Sequence, residues 1–108
     1  MWIFLSDSFL SIVDKGDPAG QTLLVRARRH GDIERVFPGA DVVEGRGTDY
    51  RYRARIDREQ VALAMAEQVR AIRYPNFKGA VTDDERHQAY MDTWQAMVRF
   101  QGGDLCHN

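Results

Sequence analysis

Residues 50–56 read Tyr50-Arg51-Tyr52-Arg53-Ala54-Arg55-Ile56, the cleanest two-residue alternation in the chain. Successive side chains of a strand point to opposite faces. Tyr50, Tyr52, Ala54 and Ile56 are therefore expected on one face, and Arg51, Arg53 and Arg55 on the other. One face is apolar and the other cationic, the pattern of a strand in an antiparallel sheet that is buried on one side only.

Just upstream, Asp41-Val42-Val43-Glu44 reads as a short strand, and the loop 45–49, Gly-Arg-Gly-Thr-Asp, returns the chain as a hairpin. Residues 23–29 give a further strand, with Leu23, Val25 and Ala27 on one side and Leu24, Arg26 and Arg28 on the other. Gly31 and Asp32 open a short helix over 32–37, which Pro38-Gly39 ends. Residues 14–22 form a loop containing Gly16, Pro18 and Gly20. Residues 2–5 and 9–13 are two short strands, or one bent strand, around Ser6-Asp7-Ser8.

Downstream, Asp57 and Gln60 stand at capping-box spacing before a helix that runs to about Arg73. Val61, Met65, Val69 and Ile72 mark its buried stripe. Tyr74-Pro75-Asn76-Phe77 is a turn, because the residue before a proline avoids the helical region. Thr82 and Glu85 form a capping box for a last helix to about Gln101, with Tyr90, Trp94, Met97 and Val98 as its apolar stripe. Gly102-Gly103 stops it.

The expected order is β(β)βαββαα. This is an α+β protein with an antiparallel sheet of four to five strands and helices on one face, related to the ferredoxin-like arrangement. Residues 1–101 are expected to form one domain and 102–108 a flexible tail.

Composition narrows the function classes. The chain has 108 residues, is 44% hydrophobic and carries a net charge of -1, which is ordinary for a globular domain. The single cysteine, Cys106, forms no internal disulfide, so nothing signals an oxidising compartment. The apolar start, residues 1–13, lacks a basic leader, is broken by polar residues and is too short to span a bilayer. A cytoplasmic protein without a membrane segment is expected. No metal or cofactor motif is present: Cys106 and His107 are adjacent tail residues, and Asp83, Asp84 and Asp92 are helix-start and surface charges.

Charge is unevenly spread. Residues 23–58 hold nine arginines against six acids, a local balance of +3. The candidate partner-binding residues are Arg26, Arg28, Arg51, Arg53 and Arg55. If the two arginine faces coincide in one sheet, five guanidiniums form a patch suited to phosphate or carboxylate, and so to nucleic acid or an acidic protein. The competing reading pairs these charges with Asp and Glu on a solvated face. Sheet-face RNA binding needs aromatics on the open face, and Tyr50 and Tyr52 are expected on the opposite one.

Three other groups invite attention. His30, Gly31 and Asp32 stand where a helix N-terminus could take a phosphate, or form a capped turn. Arg86, His87, Tyr90 and Trp94 follow one side of the last helix, as acid–base groups or as the polar end of a core stripe. Tyr74 to Lys78 is a recognition tip or a plug between helices.

Several short stretches together carry a resemblance. They are Met1-Trp2-Ile3-Phe4, Phe9-Leu10-Ser11-Ile12-Val13, Val25 to Arg28, Asp49-Tyr50-Arg51, Tyr74-Pro75-Asn76-Phe77-Lys78, Tyr90, and Trp94 to Met97. In these the chain resembles a family of small bacterial proteins, some encoded near phage or mobile elements. The resemblance implies a bacterial cytosolic origin and brings no catalytic residue with it.

The expected function is a non-catalytic binding or regulatory module that uses the arginine face for an acidic partner. Two alternatives stand beside it: a mobile-element protein that blocks a host protein complex, and a small hydrolase or nuclease using His87 or His30. A homodimer on an open sheet edge or helix face is compatible with all three.

Overall fold

A computed structural model of the chain describes residues 1–45 and 47–102. The order is β1 (Trp2–Phe4), β2 (Phe9–Val13), β3 (Thr22–Ala27), α1 (Asp32–Val36), β4 (Val43–Glu44), β5 (Tyr52–Asp57), α2 (Arg58–Arg70), α3 (Phe77–Ala80) and α4 (Asp84–Gln101). The α+β class holds: five strands form one sheet in the order β1-β2-β3-β5-β4, every neighbouring pair antiparallel. The residues group into two compact units, Met1–Arg73 and Tyr74–Asn108, the second described as far as Gly102. The tail residues 103–108, with Cys106 and His107, lie outside the described residues.

The first unit holds the sheet. Its N-terminal hairpin turns through Ser6-Asp7-Ser8, where the Leu5 N–H donates to the Ser8 carbonyl at 2.8 Å. Leu10 and Ile12 of β2, Val25 and Ala27 of β3, and Ala54 and Ile56 of β5 line one face. Ile33 and Phe37 of the α1 segment and Val61 of α2 close over them. These side chains make the core, and burial of this apolar surface is the main stabilising term.

Three local expectations are corrected. β5 begins at Tyr52, not Tyr50, because residues 47–51 form a bend. Asp57 is the N-cap of α2 but accepts no capping bond through its side chain, so the capping box with Gln60 does not form. Val69 and Ile72 of the expected stripe are exposed, as is Leu63; Val61 is buried, with Ala64 and Met65 packed on the core.

The loop between β2 and β3 is held by Asp17. Its Oδ2 accepts from the Thr22 N–H and from Thr22 Oγ1, both at 2.8 Å, and its Oδ1 from the Ala19 N–H at 3.1 Å. The Thr22 backbone and hydroxyl bonds hold the Asp17 carboxyl below its ordinary pKa. A carboxyl with a depressed folded pKa contributes stability that is present above its unfolded pKa and lost as pH falls through the folded one. The Asp17 carboxyl is expected to titrate by NMR below a random-coil aspartate, with Thr22 amide exchange accelerating in that same acid range. An ordinary aspartate midpoint would show that these bonds do not persist.

In the second unit, α4 is capped by Asp83, whose side chain accepts the Arg86 N–H at 2.9 Å, one residue after the expected Thr82. Gly102, at φ 76°, ends it in the left-handed conformation that glycine adopts without strain. The Tyr74–Lys78 segment contains a one-turn helix, α3, capped by Asn76. Phe77 stacks on Tyr90 at 5.8 Å, and the Lys78 ammonium lies 4.1 Å from the Trp94 ring centre.

Candidate functional site

With α1 and α2 on one face, the opposite face of the sheet is formed by the alternate residues. Register fixes which of them are neighbours. Trp2 pairs with Ser11, Ser11 with Arg26, Arg26 with Arg53, and Arg53 with Val43. One row thus crosses all five strands as Trp2-Ser11-Arg26-Arg53-Val43, about 20 Å at roughly 4.8 Å per strand. A second row, Val13-Leu24-Arg55, runs beside it, and Phe4 pairs with Phe9 on the other side.

The two arginine faces therefore coincide, but not with all five members equivalent. Arg26, Arg53 and Arg55 stand on the open face from β3 and β5. Arg26 donates through Nη2 to Ser11 Oγ at 2.7 Å, and its guanidinium lies 4.5 Å from the Tyr50 ring centre. Arg55 donates through Nη1 to Thr22 Oγ1 at 3.2 Å and through Nη2 to the Lys15 carbonyl at 2.9 Å. Gly16 permits that approach: a Cβ there would lie 2.7 Å from Arg55 Nη2, and the residue adopts φ +86°. Arg53 reaches the Tyr50 carbonyl through Nε at 3.5 Å.

These bonds position the three side chains through hydroxyls and carbonyls. Among the described residues no carboxylate lies within 4.0 Å of any of the three. Among the described residues their charge is not neutralised by an ion pair.

Arg28 and Arg51 differ. Both fall outside the strands, and each is matched to an acid: Arg28 Nη1 to Asp49 Oδ1 at 3.3 Å, and Arg51 Nε to Glu44 Oε1 at 3.4 Å. Arg28 also lies 4.1 Å from the Tyr50 ring centre. Charge pairing thus describes these two arginines, whereas the central three have no carboxylate partner among the described residues.

Tyr50 is corrected as well. It does not share the core face with Tyr52, whose ring packs on the core and meets His30 edge-on at 5.6 Å. Tyr50 is 4% exposed yet stands apart from the contiguous core, beneath Arg26 and Arg28.

Aromatics do line the open face, and they come from the N-terminal hairpin. Phe4 and Phe9 lie 4.7 Å apart, and Trp2 meets Phe9 edge-on at 6.3 Å. Trp2 is 68% exposed. Sequence reasoning missed this group because Trp2-Ile3-Phe4 and Phe9-Leu10 are apolar on both faces, so alternation assigns no side; only the pairing with Arg26 does. On the far side of the arginines an open depression of about 330 Å³ is lined by Leu24, Asp41, Val43, Arg53, Ala54 and Arg55, so one carboxylate shares it with two guanidiniums.

The remaining candidates are tied into the structure. At the start of α1 the anion is the protein's own: Asp32 accepts the Phe9 N–H at 2.9 Å and Arg35 Nη1 at 2.8 Å. His87 Nδ1 lies 3.2 Å from the Val81 carbonyl, and Arg86 Nη1 donates to the Tyr90 hydroxyl at 3.4 Å. His30 and His87 belong to different units. Among the described residues no three His, Cys, Asp or Glu side chains are grouped to hold a metal, and no helix is long and apolar enough to cross a membrane.

No family model, curated protein or solved structure matches the chain. The ferredoxin-like relation expected from the sequence is therefore confirmed by no known protein; the structure shows an α+β fold whose sheet has the order β1-β2-β3-β5-β4.

Proposed function

We propose that the protein is a non-catalytic binding module that takes an acidic partner, nucleic acid, on the open face of its sheet. The observation that carries this is the set Arg26, Arg53 and Arg55: side by side across β3 and β5, held by neutral groups and unmatched by carboxylates. Guanidinium groups fixed by hydroxyls and carbonyls have lost part of their freedom before a ligand arrives. Each then gives up less entropy on meeting a phosphate.

The test is fluorescence anisotropy with a labelled single-stranded RNA at roughly 50 and 200 mM salt. If three phosphates are neutralised, a slope of about -0.7 per contact predicts an affinity loss of about twentyfold between those salts. In an Arg53→Gln/Arg55→Gln variant the loss shrinks to about threefold, one contact remaining. Arg26 is kept because it covers Tyr50. Affinity that ignores salt, or a variant with the wild-type slope, rejects the arginine face as a site.

A second reading has its own support. Leu63, Val69 and Ile72 are exposed at α2 and beyond it, and Met97 and Phe100 are exposed on α4. Exposed apolar side chains on helices suit a protein partner or a second copy of the chain. That agrees with an interaction protein acting on a host complex, the role the resemblance to mobile-element proteins suggests.

A further inference from the structure

Resting on that reading of the arginine face, we propose that the ligand is single-stranded nucleic acid lying across the strands, its bases on the aromatics of β1 and β2 and its phosphates on the arginines of β3 and β5.

The cross-sheet row supplies the geometry. Trp2 and Arg53 occupy the same row three strands apart, about 14 Å, with Arg26 between them. One end of the face is therefore aromatic and the other cationic. Trp2, Phe4 and Phe9 form a group outside the core cluster, and Trp2 presents most of its surface to solvent. The Trp2 indole meets Phe9 only edge-on and leaves most of its surface in water. Against an unstacked base it buries two π-faces at once, and such stacking tolerates any base.

A duplex fits this face poorly. Its phosphates are outside, but its base faces are hidden in the stack, so Trp2 would meet only sugar and phosphate. Single strands expose both parts, and four-stranded sheets elsewhere bind them by stacking two or three bases on open-face aromatics. An acidic protein would suit the arginines and could seat Trp2 as an anchor, but single-stranded nucleic acid offers a π-face and a phosphate in every residue and so matches both ends of the row. The 330 Å³ depression lined by Arg53 and Arg55 adjoins the phosphate end, and Asp41, which also lines it, repels phosphate and so limits that end toward β4.

The experiment compares three labelled ligands of equal length at about 50 mM salt: oligo(dT), an abasic oligomer with the same phosphates, and duplex DNA. Each is measured with the wild type, Trp2→Ala and Trp2→Phe. Trp2 is exposed, so circular dichroism is expected to show all three proteins folded. Stacking on a single aromatic predicts that Trp2→Ala weakens oligo(dT) at least about fivefold. It leaves the abasic oligomer unchanged, while Trp2→Phe retains most of the affinity.

Oligo(dT) is also expected to quench tryptophan emission in the wild type, and Trp2→Phe to abolish that quenching without abolishing binding. If the abasic oligomer binds as well as oligo(dT) and Trp2→Ala is silent, the protein is a plain polyanion binder; this inference falls and the arginine face stands. Duplex binding as tight as single-strand binding overturns it too. If no ligand binds at low salt, both readings fall together.

Discussion

Asp32→Ala is expected to lower stability by about 3 kcal/mol, a fall of roughly 10–20 °C in melting temperature for a domain of this size. Asp32 is 1% exposed, at the first turn of α1. Its Oδ2 takes the Phe9 N–H at 2.9 Å and so joins α1 to the start of β2, while its Oδ1 takes Arg35 Nη1 at 2.8 Å. Alanine leaves a donor on the hairpin without its acceptor and opens a gap beside Ile33. An unsatisfied buried group costs about 1–3 kcal/mol, and the lost packing adds to it.

The Arg35 share is small, because that side chain is 48% exposed and its pairing is screened by water. Arg35→Ala is therefore expected to cost about 1 kcal/mol or less, and Asp32→Asn, which keeps volume and one acceptor, to fall between. Thermal unfolding of the three variants checks the order. A melting temperature for Asp32→Ala within about 3 °C of wild type would show that the Phe9 N–H finds another acceptor at no cost.

The alternation in residues 50–56 made the sheet legible, and with it the arginine face. Arg53 and Arg55 must oppose Ala54 and Ile56 whatever the strand pairs with, since the two-residue period leaves no choice. Alternation does not say where the ladder begins. Tyr50 is apolar enough for either side, and the bend before Tyr52 turns it from the core toward Arg26 and Arg28. The aromatic end of the site was illegible for a related reason. Trp2, Phe4 and Phe9 acquire a side only when Ser11 pairs with Arg26, a contact between residues 15 positions apart.

The α2 stripe misled in the opposite direction. Its period is that of an apolar helix face through Ile72, but periodicity does not measure how far the underlying surface extends. After Met65 the side chains at Val69 and Ile72 are exposed. The cap of α4 shows how closely matched the candidates were: Thr82 and Asp83 are both good N-caps, and Asp83 accepts from the N–H of Arg86, three residues on.

Tyr50→Ala is expected to cost about 4 kcal/mol, close to the whole margin of a small domain. The ring is 4% exposed and roofed by two guanidiniums, at 4.5 and 4.1 Å. Truncation of a buried aromatic costs about 3–5 kcal/mol in all, a total that includes what its ring face contributes, here two cation–π contacts. Two milder variants separate these contributions. Tyr50→Phe keeps the π-face and should stay within about 1 kcal/mol of wild type. Tyr50→Leu keeps much of the volume and loses the face, so it should fall about 1–2 kcal/mol below Tyr50→Phe.

The same comparison couples fold to site. If the ring fixes Arg26 on the open face, Tyr50→Leu frees that guanidinium, and nucleic-acid affinity drops although no phosphate contact has been deleted. Denaturant unfolding and anisotropy are expected to rank the variants alike: wild type and Tyr50→Phe together, Tyr50→Leu below them. Equal stability and equal affinity for Tyr50→Leu and Tyr50→Phe would mean that Arg26 and Arg28 merely cover Tyr50. The order in the arginine face would then come from the Ser11, Thr22 and Lys15 bonds alone.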